Sequence, residues 1–448
     1  MFRPLGSLLL VCLFGAVCST LIFSQNWPSF RGPNGSGIGT GNPPINWNVE
    51  TGENIKWKTP IPGLAHSSPI VWGDRVFVTT SVSSQTGSPE VKTGWLNGTG
   101  ESAADSGAWT WKLLCLDRNN GKVLWERDAH SGVPKTRRHM KATHANSTPV
   151  TDGNYVVAWF GSEGLYCYNL QGKLLWQKDL GTFKTGPHND KQLEWGYASS
   201  PIIYRNQVIV QCDAINTSFW ASFDLANGNE LRRVQRGEIT TTWSTPMVIE
   251  SKGIAQLVCN GWKQIAGYDL NSGQLLWNLH DGGDCPVPTP QWGNGTIYLT
   301  NGHGKSPVYA IKPDARGDIT PENSATTPKG MSWWQSKGGS YMPTPLVLGD
   351  KLFLAGDNGV ITVFDAHTGK ELRKDRLANA GTFSASIVAA QDRFYFVNED
   401  GDMFVFKLGQ TLEQLARNSM HEVCLATPAI SDGKLLIRAR NHLYCLGR

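Results

Sequence analysis

The chain has 448 residues, of which 40% are hydrophobic and 17% charged, with a formal net charge of +4. That apolar content excludes a disordered chain and a polytopic membrane protein, and the low charge argues against a helical bundle or coiled coil. So small a net charge spread over the whole length gives no basic stripe for nucleic acid. The 49 glycines and 18 tryptophans instead suggest many tight turns and aromatic wedges, as in a large all-β protein.

The N-terminus has a positive residue, Arg3, and an apolar run over Leu5–Val17, with small residues at Ser19 and Ser24. Residues 1–24 therefore read as a signal peptide, with an uncleaved membrane anchor as the alternative. Export would remove Cys12 and Cys18 and leave seven cysteines, an odd number, most of them in apolar strand-like runs such as Leu113–Leu116. They read as core residues. Residues 25–53 are a Pro/Gly-rich lead-in, expected to strap across the fold through Trp27, Phe30 and Trp47.

Residues 54–448 are repetitive. Ser/Thr-Pro pairs recur at Ser68, Thr148, Ser200, Thr245, Thr289, Thr344 and Thr427, and Ser386-Ile387 fills the remaining gap. Each start precedes a strand and a hairpin turn, including Gly73-Asp74, Asp152-Gly153, Gly293-Asn294 and Asp432-Gly433. A second strand follows, then a third that ends in Asp-x-x-x-Gly at 117–121, 224–228, 269–273 and 365–369, with a shortened form at 169–172. The fourth strand carries Leu-Trp or a relative, which places Trp57, Trp125, Trp176, Trp277 and Trp334 at or near the blade-closing position. Arg232 and Arg373 replace the Trp in two units. Eight units of about 49 residues match a blade-type period. The last unit lacks a fourth strand, and Asn54–Lys58 can supply it. The fold expected is an eight-bladed β-propeller of four-stranded antiparallel blades, closed by the N-terminal strand. An insertion over 83–111 interrupts blade one, and a shorter one over 181–197 separates blades two and three.

The pattern Asp-x-x-x-Gly-Lys-x-Leu-Trp resembles the PQQ-type (pyrroloquinoline quinone) propeller repeat of quinoprotein alcohol dehydrogenases and of BamB, an outer-membrane assembly factor. The lead-in Asn26–Pro33 and the ending Ala426–Ile430 are similar to exported BamB-like proteins. The resemblance implies one of two functions. The first is a non-catalytic scaffold in the periplasm or cell envelope that binds a ligand or an envelope protein and has no cofactor. The alternative is a PQQ-dependent oxidoreductase with a divergent site. In that class the quinone lies on the propeller axis between a Trp floor and a disulfide of adjacent cysteines, beside calcium. Trp243 could serve as such a floor, yet the chain has neither a Cys-Cys pair nor a Cys-x-x-Cys-His haem segment. No catalytic or metal residue is assigned.

Inner strands line a propeller's channel, so residues just before the Ser/Thr-Pro starts face one mouth. His66, Asn146, Trp243 and Met342, with His188 and Trp195 from the connection between blades two and three, are the candidate ligand-binding residues. The basic stretch Lys135–Lys141, with His139 and His144 nearby, reads as a solvated connector. Asp281–Asp284 and Glu399–Asp402 read as ordinary turns.

Overall fold

The structure, a computed structural model, describes residues 26–448 except 88, 96–99, 188–189, 191, 238–240, 281, 284, 304 and 410. The leader read over 1–24 lies outside these residues. Eight antiparallel sheets follow one another in chain order, seven with four strands and one with five. They form the expected eight-bladed propeller. Blade one is Ile70–Trp72, Arg75–Ser83, Trp109–Asp117 and Val123–Gly132, and the later blades repeat this meander. The last blade holds Ala429–Ser431, Lys434–Arg438 and His442–Leu446, and Ile55–Pro60 completes it with Trp57 opposite Cys445. In blade four, Gly317–Asp318 adds a short parallel strand on the outer edge.

Each part of the repeat motif has a separate task. The Asp of Asp-x-x-x-Gly caps its own turn: Asp117 Oδ1 accepts the N–H groups of Asn119 and Asn120 at 2.7 and 3.2 Å. The Gly and the Trp act on each other across the blade junction. Trp57, Trp125, Trp176 and Trp333 lie beneath the next blade's turn. Their indole N–H groups donate to the carbonyls of Arg118, Leu170, Leu225 and Ala366 at 2.8–3.0 Å. A Cβ on Gly121, Gly172, Gly228 or Gly369 would come within 2.4–2.8 Å of those rings, and each glycine has a positive φ. Only glycine satisfies both conditions.

The wedge of blade five is Trp333 rather than Trp334. Trp333 is buried, whereas Trp334 donates to the Thr326 carbonyl on the rim. The fifth hairpin turn likewise falls on Asn294-Gly295, both with positive φ, one residue beyond the expected pair. Where Arg replaces Trp, the guanidinium makes the same link: Arg232 donates to the Asn271 and Ser272 carbonyls of the following turn. The strands of blade one extend to Ser83 and resume at Trp109, so its insertion is 84–108.

The Ser/Thr of each start forms a belt around the axis. The N–H of one start donates to the hydroxyl of the next at Ser68–Thr148, Thr148–Ser200 and Ser200–Thr245. The same link joins Thr289–Thr344, Thr344–Ser386 and Ser386–Thr427, all six at 2.9–3.1 Å. The lead-in crosses one end of this ring. Trp27 is fully buried and exchanges backbone bonds with Val71, and the Pro28 carbonyl accepts from Thr151. Arg31 is fully buried without a carboxylate partner and donates to four carbonyls, those of Gly35, Ser36, Pro345 and Ile387. Trp47 packs farther out, with its indole N–H on Met420 Sδ. All seven described cysteines are buried and none forms a disulfide.

Gly228→Ala should cost about 3 kcal/mol or more in chemical denaturation, because a clash with Trp176 adds to the positive-φ penalty. Gly253→Ala carries the same backbone penalty, but its Cβ would meet nothing within 4 Å, so about 1–2 kcal/mol is expected.

Candidate functional site

The inner strands enclose an axial cavity of about 650 Å³. All eight belt residues line it, and Phe30 of the lead-in also reaches it. His66, Asn146, Trp195, Trp243 and Met342 line the same cavity, so the fold brings five of the six candidate residues together. His188 lies outside the described residues.

Their chemistry differs. Trp195 and Trp243 lie side by side, with ring centroids 5.6 Å apart and planes tilted by 34°. Their indole N–H groups are already engaged by the Gly100 and Gly196 carbonyls at 2.6 and 2.9 Å. The rings are therefore fixed in place and offer an incoming group their π surfaces rather than their N–H donors. Asn146 mainly braces its own loop: its Oδ1 accepts from the Thr143 N–H and hydroxyl, and its Nδ2 donates to the Tyr197 carbonyl. His66 Nε2 lies 2.8 Å from the Lys141 carbonyl, which can only accept, so the neutral ring carries its proton there. Burial pushes the His66 pKa down to about 3, and the ring stays uncharged at neutral pH.

The residues that organise the mouth were read differently from sequence. The stretch 135–141 is pinned by its backbone and by the Arg138 and Lys141 side chains, while Lys135 and Arg137 stay exposed as expected. Arg138 is buried and makes a two-pronged pair with Asp105 at 2.6 and 2.9 Å, and His144 Nε2 reaches the same carboxylate. Lys135 N–H donates to Glu163, and Arg137 N–H to Glu194. Lys141 extends into the mouth and pairs with Glu399 at 2.6 Å, where the Glu399 side chain is 1% exposed. Glu399 also accepts the Gly94 N–H at 2.7 Å and the Ser384 hydroxyl, while Lys141 donates to the Gly94 carbonyl. The pair thus latches the 84–108 insertion across the mouth, from blade two to blade seven. The Glu399–Asp402 segment, expected to be only a turn, begins with this latch. Asp281 and Asp284 are outside the described residues.

Asp357, His303 and Tyr341 also line the cavity, Asp357 near enough to Lys141 and Glu399 to feel their charges, and burial raises the Asp357 pKa. Lys141 is the only lysine or arginine among the described lining residues, against three carboxylates, Asp190, Asp357 and Glu399. Two buried belt hydroxyls, Ser68 Oγ and Thr289 Oγ1, have no hydrogen-bond partner. Among the described residues, no three of His, Cys, Asp and Glu group to hold a metal ion. No described helix is long and apolar enough to cross a membrane.

An eight-bladed ring with indoles beneath Asp-x-x-x-Gly turns defines a PQQ-repeat propeller. Residues 81–196 and 112–304 match the family described as outer membrane protein assembly factor BamB, and together they cover half of the chain. The chain belongs to that family. Comparison with curated proteins gave no match. Among solved structures, the computationally designed Ika8 protein is similar, with 13% identity over 78% of this chain and 95% of its own, at a TM-score of 0.52. The quinohemoprotein alcohol dehydrogenase of Comamonas testosteroni shares 11% identity over 95% of this chain and 81% of its own, at 0.50. These likenesses are of fold alone. BamB from Moraxella catarrhalis superposes more loosely, with 11% identity over 87% and 96% of the two chains, at 0.40.

Glu399→Gln should lower stability by about 2–4 kcal/mol by breaking a nearly buried pair, and should speed limited proteolysis within 84–108. An unchanged cleavage rate would mean that the latch does not hold the insertion. A second test uses pH. Burial raises Glu163 to about 7, so the native state keeps a proton that the unfolded chain releases near 4.5. Stability then falls as pH climbs from 4.5 through 7 and stays lower above it. Glu163→Gln should be more stable than wild type by on the order of 2–3 kcal/mol at pH 8, with no such gain at pH 4, in parallel denaturation curves.

Proposed function

We propose that this propeller is an exported, non-catalytic binding module of the cell envelope, with its latched axial cavity as the recognition site for a ligand or a segment of an envelope protein. The charge of the cavity lining carries this reading. A polycarboxylate quinone would meet three carboxylates and one lysine that is already paired with Glu399 and the Gly94 carbonyl. His66, uncharged at neutral pH, adds no positive charge. The chain has no adjacent cysteines to pack on the face of such a ring. The residues present therefore fit the quinone's carboxylates poorly, and among the described residues no three of His, Cys, Asp and Glu group to hold its calcium. They suit a neutral or cationic group that can lie against the Trp195–Trp243 surface and hydrogen-bond to the belt hydroxyls. Membership of the BamB family is in keeping with a binding role in the envelope.

Purified protein titrated with PQQ and Ca²⁺ should show no saturable quenching of tryptophan fluorescence and no dye-linked alcohol or sugar oxidation. Stoichiometric binding with turnover would establish the oxidoreductase alternative instead. In parallel, wild-type protein should retain a partner or ligand from an envelope extract that a Trp195→Ala/Trp243→Ala double variant of unchanged fold fails to retain.

A further inference from the structure

Blade eight contains a second polar site, built from two arginines that do not line the axial cavity. Arg438 ends the strand Lys434–Arg438, and Arg440 follows in the turn to His442. Arg438 is 1% exposed, and its one hydrogen bond runs from Nη1 to the Ala439 carbonyl at 2.7 Å. Its Nε and Nη2 are buried without a partner. Arg440 donates from Nη2 to the Pro89 carbonyl at 2.6 Å, while its Nη1 is buried and also unpartnered. The carboxylate whose field reaches Arg438 is Glu422. That group already accepts from His442 Nδ1, the Tyr444 hydroxyl and the Asn441 N–H at 2.6–2.8 Å.

Arg31 provides the contrast within the same fold. It is equally buried, yet all three of its guanidinium nitrogens reach carbonyls. A buried cation with open donors is costly unless something fills them. The open positions on Arg438 also have a definite shape. Nε–H and Nη2–H point from one edge of the guanidinium in parallel, the fork that matches two oxygens of an oxyanion. Arg440, half-buried beside Pro89, adds a third open donor in its Nη1.

We propose that Arg438 and Arg440 form a binding site for a small oxyanion, a carboxylate or phosphate group, with Arg438 Nε and Nη2 gripping two oxygens and Arg440 Nη1 closing the site. The test is calorimetric titration of the full chain with inorganic phosphate and, separately, with acetate, at fixed ionic strength in sodium chloride. Saturable single-site binding of either anion supports the site, and the pair of titrations separates phosphate recognition from general carboxylate recognition. Arg438→Met should abolish binding. Arg440→Gln, at a partly exposed position that the fold tolerates more easily, should weaken it about tenfold or more with little change in melting temperature. The proposal fails if neither anion binds the wild-type chain, or if Arg440→Gln binds as tightly as wild type. It fails equally if a high-resolution structure grown in phosphate shows only water on the Arg438 edge.

Discussion

The ring depends on one contact made again and again, a flat cationic or indole group laid beneath the next blade's glycine turn. The contact is local to each junction, so every blade is held chiefly by its two neighbours, and the assembly gains its full stability only when the circle closes. Closure explains why Ile55–Pro60 does more than add a strand. It brings Trp57 beneath the Asp117–Gly121 turn, so the segment that completes blade eight also locks it to blade one. A bare strand would cover the open edge of blade eight but leave the last junction without its wedge.

The belt and the lead-in act on the same ring from inside. Six of the eight belt hydroxyls accept a backbone N–H that would otherwise end in the channel, so the Ser/Thr of the repeat satisfies polar groups of the channel wall. The lead-in works similarly at larger scale. Arg31 gathers carbonyls from the inner ends of blades six and seven and fastens the segment that carries Phe30 to the cavity. One end of the axis is thereby crossed by the lead-in, and the other is spanned by the 84–108 insertion. Between them lies a cavity whose walls are held by backbone-level interactions, a rigid mount for recognition.

The repeat was legible because its determinants are close in sequence: turn glycines, capping Asp residues and the Leu-Trp step all fall within a few residues. The one-residue misplacements, Trp334 for Trp333 and Gly293-Asn294 for Asn294-Gly295, arose where two equivalent residues stand side by side and only burial or backbone conformation separates them. The position of the candidate residues was legible for the same reason, since the inner-strand starts had already been marked. The latch was not. Lys141 and Glu399 are neighbours only because the chain closes into a circle, and neither carries a local signal. The pinning of 135–141 was hidden likewise, because the carboxylates that hold its backbone and its Arg138 and Lys141 side chains, Glu163, Glu194, Asp105 and Glu399, each lie on a different part of the chain.

The departures from the repeat are not scattered. At the junction of blades four and five, the belt link from Thr245 to Thr289 is missing and Thr289 Oγ1 is left open. Trp277 there turns back on its own blade, donating to Gln256 Oε1 and packing against Gly267, because the Lys312–Gly330 connection replaces the Asp-x-x-x-Gly turn beneath which it would lie. Ser244 and Asn260 compensate by donating across the junction to the Pro288 carbonyl. The other open belt link, from Thr427 to Ser68, falls at the closure between blades eight and one. These two junctions lie on opposite sides of the axis, and each leaves an unsatisfied hydroxyl in the cavity wall. A regular ring has no reason to prefer one orientation of a bound group over another. Two open hydroxyls on opposite sides of the ring, with an indole surface from the connections around blade three and Asp357 and Glu399 from blades six and seven, give this cavity a direction.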